Sequence, residues 1–139
     1  MSTITAEEFF RLYEQANRDF DAQLIARLYA DTFMFGNPQG VQAVKKEDFV
    51  KVLPRRKEFM KTAGLLSSRV DSVQVSTLDS KYVLVKAVWK MRFESSTGLP
   101  IDSENSTTYI LAGTGDSFQI VVQLDHQDLM KKVQDLVLK

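Results

Sequence analysis

The pair in this chain with the most obvious capacity for chemistry is Asp125-His126, an acid beside an imidazole, an arrangement used for proton transfer. The pair lies at the end of a strand-like stretch. Neighbouring strand residues point to opposite faces, so the two cannot hydrogen-bond as a dyad while the strand continues. Asp125 is well placed to cap the helix that follows, which leaves His126 on the surface. Its other use is as a polar group facing an interior pocket, on the strand face that also carries Val121 and Gln123. Arg55 and Arg56 sit in a basic run with Lys46, Lys51, Lys57 and Lys61. Their guanidinium forks could clamp a phosphate or a carboxylate, although a run interleaved with Glu47, Asp48 and Glu58 is ordinarily a solvated helix face. Trp89, Met91 and Phe93 share a strand face with Val83 and Val85. They suit either a plain core or the apolar wall of a pocket with an indole donor, and Phe33 and Phe35 carry the same two readings.

Composition removes several other chemistries. The chain has 139 residues with no cysteine and one histidine, so thiol catalysis, disulfides and multi-histidine or cysteine metal sites are excluded. No metal and no cofactor is expected. Gly113-Thr114-Gly115 follows a strand but opens no helix, unlike a dinucleotide fingerprint. Lys plus Arg balance Asp plus Glu at 18 each, and no exposed aromatic platform accompanies the basic run, so no nucleic-acid partner is expected. The start, MSTITAEEFFRLYEQ, lacks the basic and apolar regions of a secretory signal, and no apolar run approaches about 18 residues. The expectation is a cytoplasmic chain with no membrane partner.

These residues must be held by elements whose pattern is readable. Thr5-Ala6-Glu7-Glu8 is a capping box that opens a helix with Phe9, Leu12, Tyr13, Ala16 and Phe20 on one stripe. Asp21 caps a second, shorter helix whose buried side is Leu24, Ile25, Leu28 and Tyr29. A short strand Thr32–Phe35 runs into a turn at Gly36-Asn37-Pro38-Gln39-Gly40. Lys46–Ala63 is a third helical region, with Phe49, Val52, Leu53, Phe59 and Met60 on one side and a kink or break expected at Pro54. Period-two sequence then gives strands over Ser67–Leu78, Lys81–Glu94, Ile101–Ala112 and Phe118–Asp125, followed by a closing helix over Gln127–Leu138. Segregated helices and meandering strands define an α+β fold, and the absence of linkers or repeats makes residues 1–139 one domain.

The stretch Leu28–Gly40, LYADTFMFGNPQG, with the element order around it, resembles the nuclear transport factor 2-like superfamily, also called SnoaL-like and described as cystatin-like. The resemblance implies a curved antiparallel sheet wrapped around the N-terminal helices, a cone with a pocket, closed by a C-terminal helix. Within it, the ketosteroid isomerase pattern matches without a gap from Tyr13 to Leu28-Tyr29-Ala30-Asp31. That match implies an oxyanion-binding position for Tyr13. The isomerase base falls on Asn37, whose amide cannot take up a proton at neutral pH. The second oxyanion donor falls on Thr108.

The function expected is therefore binding of a small apolar or aromatic ligand in the cone pocket, without isomerase-type catalysis. The lining would come from Tyr13, Phe33, Phe35, Phe59, Trp89 and Thr108, with Asn37 or Asp125 as polar orienters. One alternative is a homodimeric interaction module that uses the outer sheet face, where Tyr82, Leu84 and Val88 alternate with Lys86, Lys90 and Arg92; the resembling family buries such faces in homodimers. A second is an enzyme of the dehydratase or cyclase kind. It needs a pocket acid or base, for which Asp102, Glu104, Asp125 and His126 are the late-strand candidates.

Overall fold

The computed structural model of the chain describes residues 4–95 and 97–136. Helix α1 (Ala6–Asp19) opens on the expected capping box: Thr5 Oγ1 accepts from the Glu8 amide and Glu8 Oε1 from the Thr5 amide, both at 3.0 Å. It buries Ala6, Phe9, Phe10, Tyr13 and Ala16. Leu12, placed on that stripe by its spacing, is 41% exposed, and Phe10 is buried instead. The helix ends at Phe20, held in the left-handed region at φ 49°. Helix α2 (Ala22–Leu28) is capped by Asp21, whose carboxylate accepts from the Leu24 amide, and it buries Ile25 and Leu28.

The chain passes from α2 straight into strand β1 (Tyr29–Asn37), which pairs antiparallel with β2 (Gly40–Lys45) across a turn at Pro38-Gln39. Strand β2 was not legible in the sequence because almost all of it is exposed, so it has no buried face to impose alternation. Helix α3 (Lys46–Thr62) then leads into β3 (Leu65–Thr77), β4 (Tyr82–Glu94), β5 (Pro100–Gly113), β6 (Phe118–Asp125) and helix α4 (Leu129–Leu136). Six strands form one sheet in the order β2-β1-β6-β5-β4-β3, with β1 parallel to β6 and every other pair antiparallel.

Two expectations are corrected. Helix α3 is one element through Pro54, neither broken nor divided. The proline lies on the exposed side, where the carbonyl deprived of its amide partner can face water. The cap of α4 is Asp128, whose Oδ1 accepts from the Lys131 amide at 3.1 Å; Asp125 lies too early in the chain to do this and turns inward. Of the apolar side expected for α4, Val133 is buried, whereas the side chains of Leu129, Met130 and Leu136, and the whole of Val137, lie outside what is described.

The helices cover one face of the sheet. Between them lies a main core that includes Phe9, Phe10, Tyr13, Tyr29, Phe33, Trp89 and Tyr109. A smaller cluster of Met60, Ala63, Phe93 and Val133, flanked by Phe20, Phe59, Leu65, Met91 and Ile101, joins the end of α3 to α4.

Candidate functional site

A cavity of about 60 Å³ lies where the main core meets the smaller cluster. At roughly 15 Å³ per water, that is room for about four waters or a ligand head of similar size. One wall is apolar, from Phe20, Met60, Leu65 and Met91. The other is polar and comes from α1 and the inner faces of β4, β5 and β6: Tyr13, Trp89, Thr107, Tyr109, Gln123 and Asp125. Arg56 of α3 also faces the cavity, with Asn17, Asn105, Ser106 and Gln127.

Two sets of hydrogen bonds order the polar wall. The Tyr13 and Tyr29 hydroxyls lie 2.7 Å apart, and Tyr29 donates to Gln123 Oε1 at 2.5 Å. Gln123 Nε2 donates to Asp125 Oδ1 at 3.1 Å, and Thr107 Oγ1 reaches the same oxygen at 3.4 Å. The Trp89 indole donates to the Tyr109 hydroxyl at 3.2 Å. Aromatic edges hold these groups in place: the Tyr13 ring lies 5.8 Å from Trp89, 5.6 Å from Tyr109 and 6.0 Å from Tyr29, all edge-on.

Burial pushes the hydroxyl of Tyr13 above its ordinary pKa, and those of Tyr29 and Tyr109 well above theirs. The phenols therefore stay protonated at neutral pH and act through hydrogen bonds. Burial also raises the Asp125 carboxyl above its ordinary 3.8, opposed by the bond from Gln123, the Arg56 charge and the bond from Thr107. A raised carboxyl binds its proton more tightly in the folded state than in the unfolded chain. Its contribution to stability is therefore full below pH 3.8 and lost as pH rises through the folded-state value. Asp125→Asn removes this loss, so urea midpoints should show the variant gaining on the wild type as pH rises from about 4 to 7. A difference that does not vary with pH would contradict a buried, ionising Asp125.

Of the residues expected to bind the ligand, Tyr13, Trp89 and Asp125 line the cavity, as do Met91, Gln123 and Arg56, which the sequence offered as alternatives, whereas Phe33, Phe35, Asn37, Phe59 and Thr108 do not. Phe33 packs behind Tyr29 in the core, with ring centroids 4.6 Å apart, and Phe35 is half-buried against the same core. Phe59 belongs to the smaller cluster. Asn37 is spent on turn chemistry, its Oδ1 accepting from the Gln39 amide at 2.9 Å. Thr108 is on the outer face, bonded to His126 Nε2 at 2.7 Å; strand alternation turns Thr107 and Tyr109 inward in its place. Asp125 and His126 do point to opposite faces, as adjacent strand residues must.

Tyr29, Thr107 and Tyr109 were missed, as was the inward turn of Arg56. One signal was present: the inner face of β5 reads Ser103, Asn105, Thr107, Tyr109, Leu111, a buried strand face that is polar over half its length. Gln123 and Asp125 share the inner face, as alternation reads them, but Ile120 joins them there only through an irregularity in β6 that the sequence does not show. Leu111 pairs with Ile120 and Ile110 with Val122, so Val121 is an extra residue. That bulge lets Ile120, Gln123 and Asp125 all face inward.

An α+β cone whose helices and curved sheet enclose a tyrosine-lined cavity defines the fold class. The family model described as NTF2-like protein (DUF6841) matches residues 3–128, and the chain belongs to that family. Solved structures repeat the fold. An NTF-2 like protein of unknown function from Shewanella oneidensis superposes with a TM-score of 0.69 at 10% identity, over 86% of this chain and 94% of that one. A ketosteroid isomerase-like protein from Erwinia carotovora gives 0.67 at 16% identity, over 88% and 92%. The beta subunit of a benzoate 1,2-dioxygenase from Burkholderia mallei gives 0.68 at 15% identity, over 91% and 92%. At such identities the likeness is one of fold. No curated protein matches the sequence. Among the described residues, no helix is long and apolar enough to cross a membrane.

Proposed function

We propose that this chain binds a small molecule in the cone cavity and does not carry out isomerase-type proton transfer. The observation that carries this reading is the make-up of the cavity: an apolar wall faces a polar wall whose donors and acceptors are already ordered by one another. The position of the isomerase base supports its second half, since Asn37 is an amide and is engaged in a surface turn. The cavity volume of about 60 Å³, partly open to solvent, is far below the roughly 300–1,000 Å³ of sites for drug-sized ligands, which favours a small ligand over a polycyclic one.

A thermal-shift screen of small polar, apolar and aromatic compounds tests it. A true ligand at 100 times its Kd stabilises the fold by about 2.7 kcal/mol, a rise of roughly 5–10 °C for a domain of this size. Ser68→Phe, which projects a ring into the cavity from β3, should abolish the shift while leaving the fold intact. A shift that survives this variant would place the ligand elsewhere.

A compatible second reading, homodimer formation through the outer sheet face, draws on the register. Leu84, Ile110, Val122 and Met34 lie directly opposite one another across β4, β5, β6 and β1, forming an apolar row on the face turned away from the helices. Met34 is 39% exposed and the others are half-buried. Charge placed in the middle of the row by Val122→Glu should convert a dimer to a monomer in sedimentation equilibrium at micromolar concentration. A wild type that is already a monomer under those conditions would remove the reading. The dehydratase or cyclase alternative draws on Asp125 alone, the one carboxylate in the cavity wall among the described residues.

A further inference from the structure

The direction of every hydrogen bond in the polar wall follows from counting donors. Tyr29 has one hydroxyl hydrogen, and Gln123 Oε1 takes it. Tyr13 must then be the donor in its bond to Tyr29. The Tyr109 hydroxyl stands apart from this series and accepts from the Trp89 indole. Gln123, with its oxygen on Tyr29, turns its Nε2 to Asp125 Oδ1. An ionised carboxylate has no hydrogen to offer and requires that amide orientation. The wall therefore holds a one-way chain from Tyr13 through Tyr29 and Gln123 to Asp125.

Two consequences bear on the ligand. Neither the Tyr13 nor the Tyr29 hydroxyl hydrogen remains for a ligand's carbonyl or carboxylate. What remains is an acceptor: Asp125 Oδ2 receives no hydrogen bond from a described residue. No buried side-chain oxygen among the described residues lacks a partner, so Oδ2 is open to the cavity. The cation in the wall is Arg56, which forms no ion pair or hydrogen bond with a described residue while its charge is felt at Tyr13, Tyr29 and Asp125. An acidic ligand group must then go to Arg56, whose planar fork matches a carboxylate, and a donor group must go to Asp125.

We propose that the ligand is a small carboxylate bearing a hydrogen-bond donor, a hydroxy acid or an amino acid, with its carboxylate on Arg56 and its hydroxyl or ammonium on Asp125. This deepens the reading of the cone as a small-molecule site and rests on it. The two protein charges cancel, so a ligand that presents an acid and a donor complements the cavity at both ends. The limited volume selects a small ligand head over a bulky one.

Calorimetric titration with lactate, 3-hydroxybutyrate and alanine, against propionate, ethanolamine and toluene, tests the ligand class. At least one of the first three should bind tenfold or more tighter than propionate and ethanolamine. Arg56→Gln and Asp125→Asn should each weaken that compound at least tenfold, and Arg56→Lys, which keeps the charge without the fork, should weaken it less. Propionate, ethanolamine or toluene binding as tightly as the bifunctional compounds would overturn the ligand class and leave the pocket reading standing. Binding by none of the six compounds would overturn the ligand class, and if the broader thermal-shift screen is also blank, the pocket reading falls with it. The wild-type affinity ratios decide the matter even where a variant folds poorly.

Discussion

Tyr29→Phe should destabilise the protein by about 2–4 kcal/mol, although it deletes a single oxygen. The Tyr29 ring is held by Phe33 and Phe49, with centroids 4.6 and 4.8 Å away, and phenylalanine keeps that packing. The loss falls on the hydroxyl, which links the Tyr13 hydroxyl to Gln123 Oε1 in the interior. Without it two buried polar atoms lose their partner at once, each at a cost of about 1–3 kcal/mol, partly offset by local readjustment of the freed groups. Urea unfolding gives the number. Adding Gln123→Leu should cost less than the sum of the two single changes, because the second deletion removes an acceptor that the first had stranded. A loss below about 1 kcal/mol for Tyr29→Phe would mean that water enters and replaces the hydroxyl, and the wall would not be the closed network described above.

Gly64→Ala should cost about 3 kcal/mol or more, for two separable reasons. Gly64 joins α3 to β3 with φ at +84°, a left-handed conformation that a side chain makes unfavourable by about 1–2 kcal/mol. A Cβ there would also lie 2.4 Å from the Glu94 carbonyl oxygen, part of the backbone that Gly64 binds through the Glu94 amide at 2.8 Å. That oxygen cannot move aside without pulling β4 from the start of β3, the region that carries Leu65 and Phe93. Gly98 is the internal control. Its φ is +81°, yet a Cβ there meets nothing within 4 Å, so Gly98→Ala should show the conformational cost alone, about 1 kcal/mol. Equal losses at the two glycines would show that the close approach to Glu94 relaxes at little cost.

The parts of this molecule that repeat a pattern were legible in the sequence. The capping box at Thr5 and Glu8 and the alternation of Val83, Val85, Ala87, Trp89 and Phe93 follow local rules and appear in the fold as read, whereas Tyr29, read as part of the second helix, opens β1. The site was legible only at the residues that sit on such patterns. Tyr13 lies on the buried stripe of α1 and Trp89 on the buried face of β4, and both reach the cavity. Thr108 was assigned by carrying an ungapped register onto β5, and a shift of one residue moves a strand side chain to the opposite face. Gln123 and Asp125 share a face by alternation, but that Ile120 lies on it too depends on one extra residue at Val121, and a bulge leaves little trace in a run such as Ile120-Val121-Val122-Gln123. Arg56 is one of several cations on α3, and only the packing of that helix against the sheet selects it over Arg55, which stays exposed.

The central claim is that the cavity between Tyr13, Trp89 and Asp125 takes a small molecule. Trp89 is the single tryptophan of the chain, so its indole N–H gives one isolated resonance in a nitrogen-correlated NMR spectrum. That N–H lies in the cavity wall and donates to Tyr109. Titration with a library of small polar and apolar fragments should give compounds that move this resonance saturably, together with the amides of Ser106 and Thr107, while those of Leu84 and Val122 on the outer face stay fixed. If every fragment that binds shifts only outer-face amides, or none moves the indole at millimolar concentration, the cavity is not a ligand site.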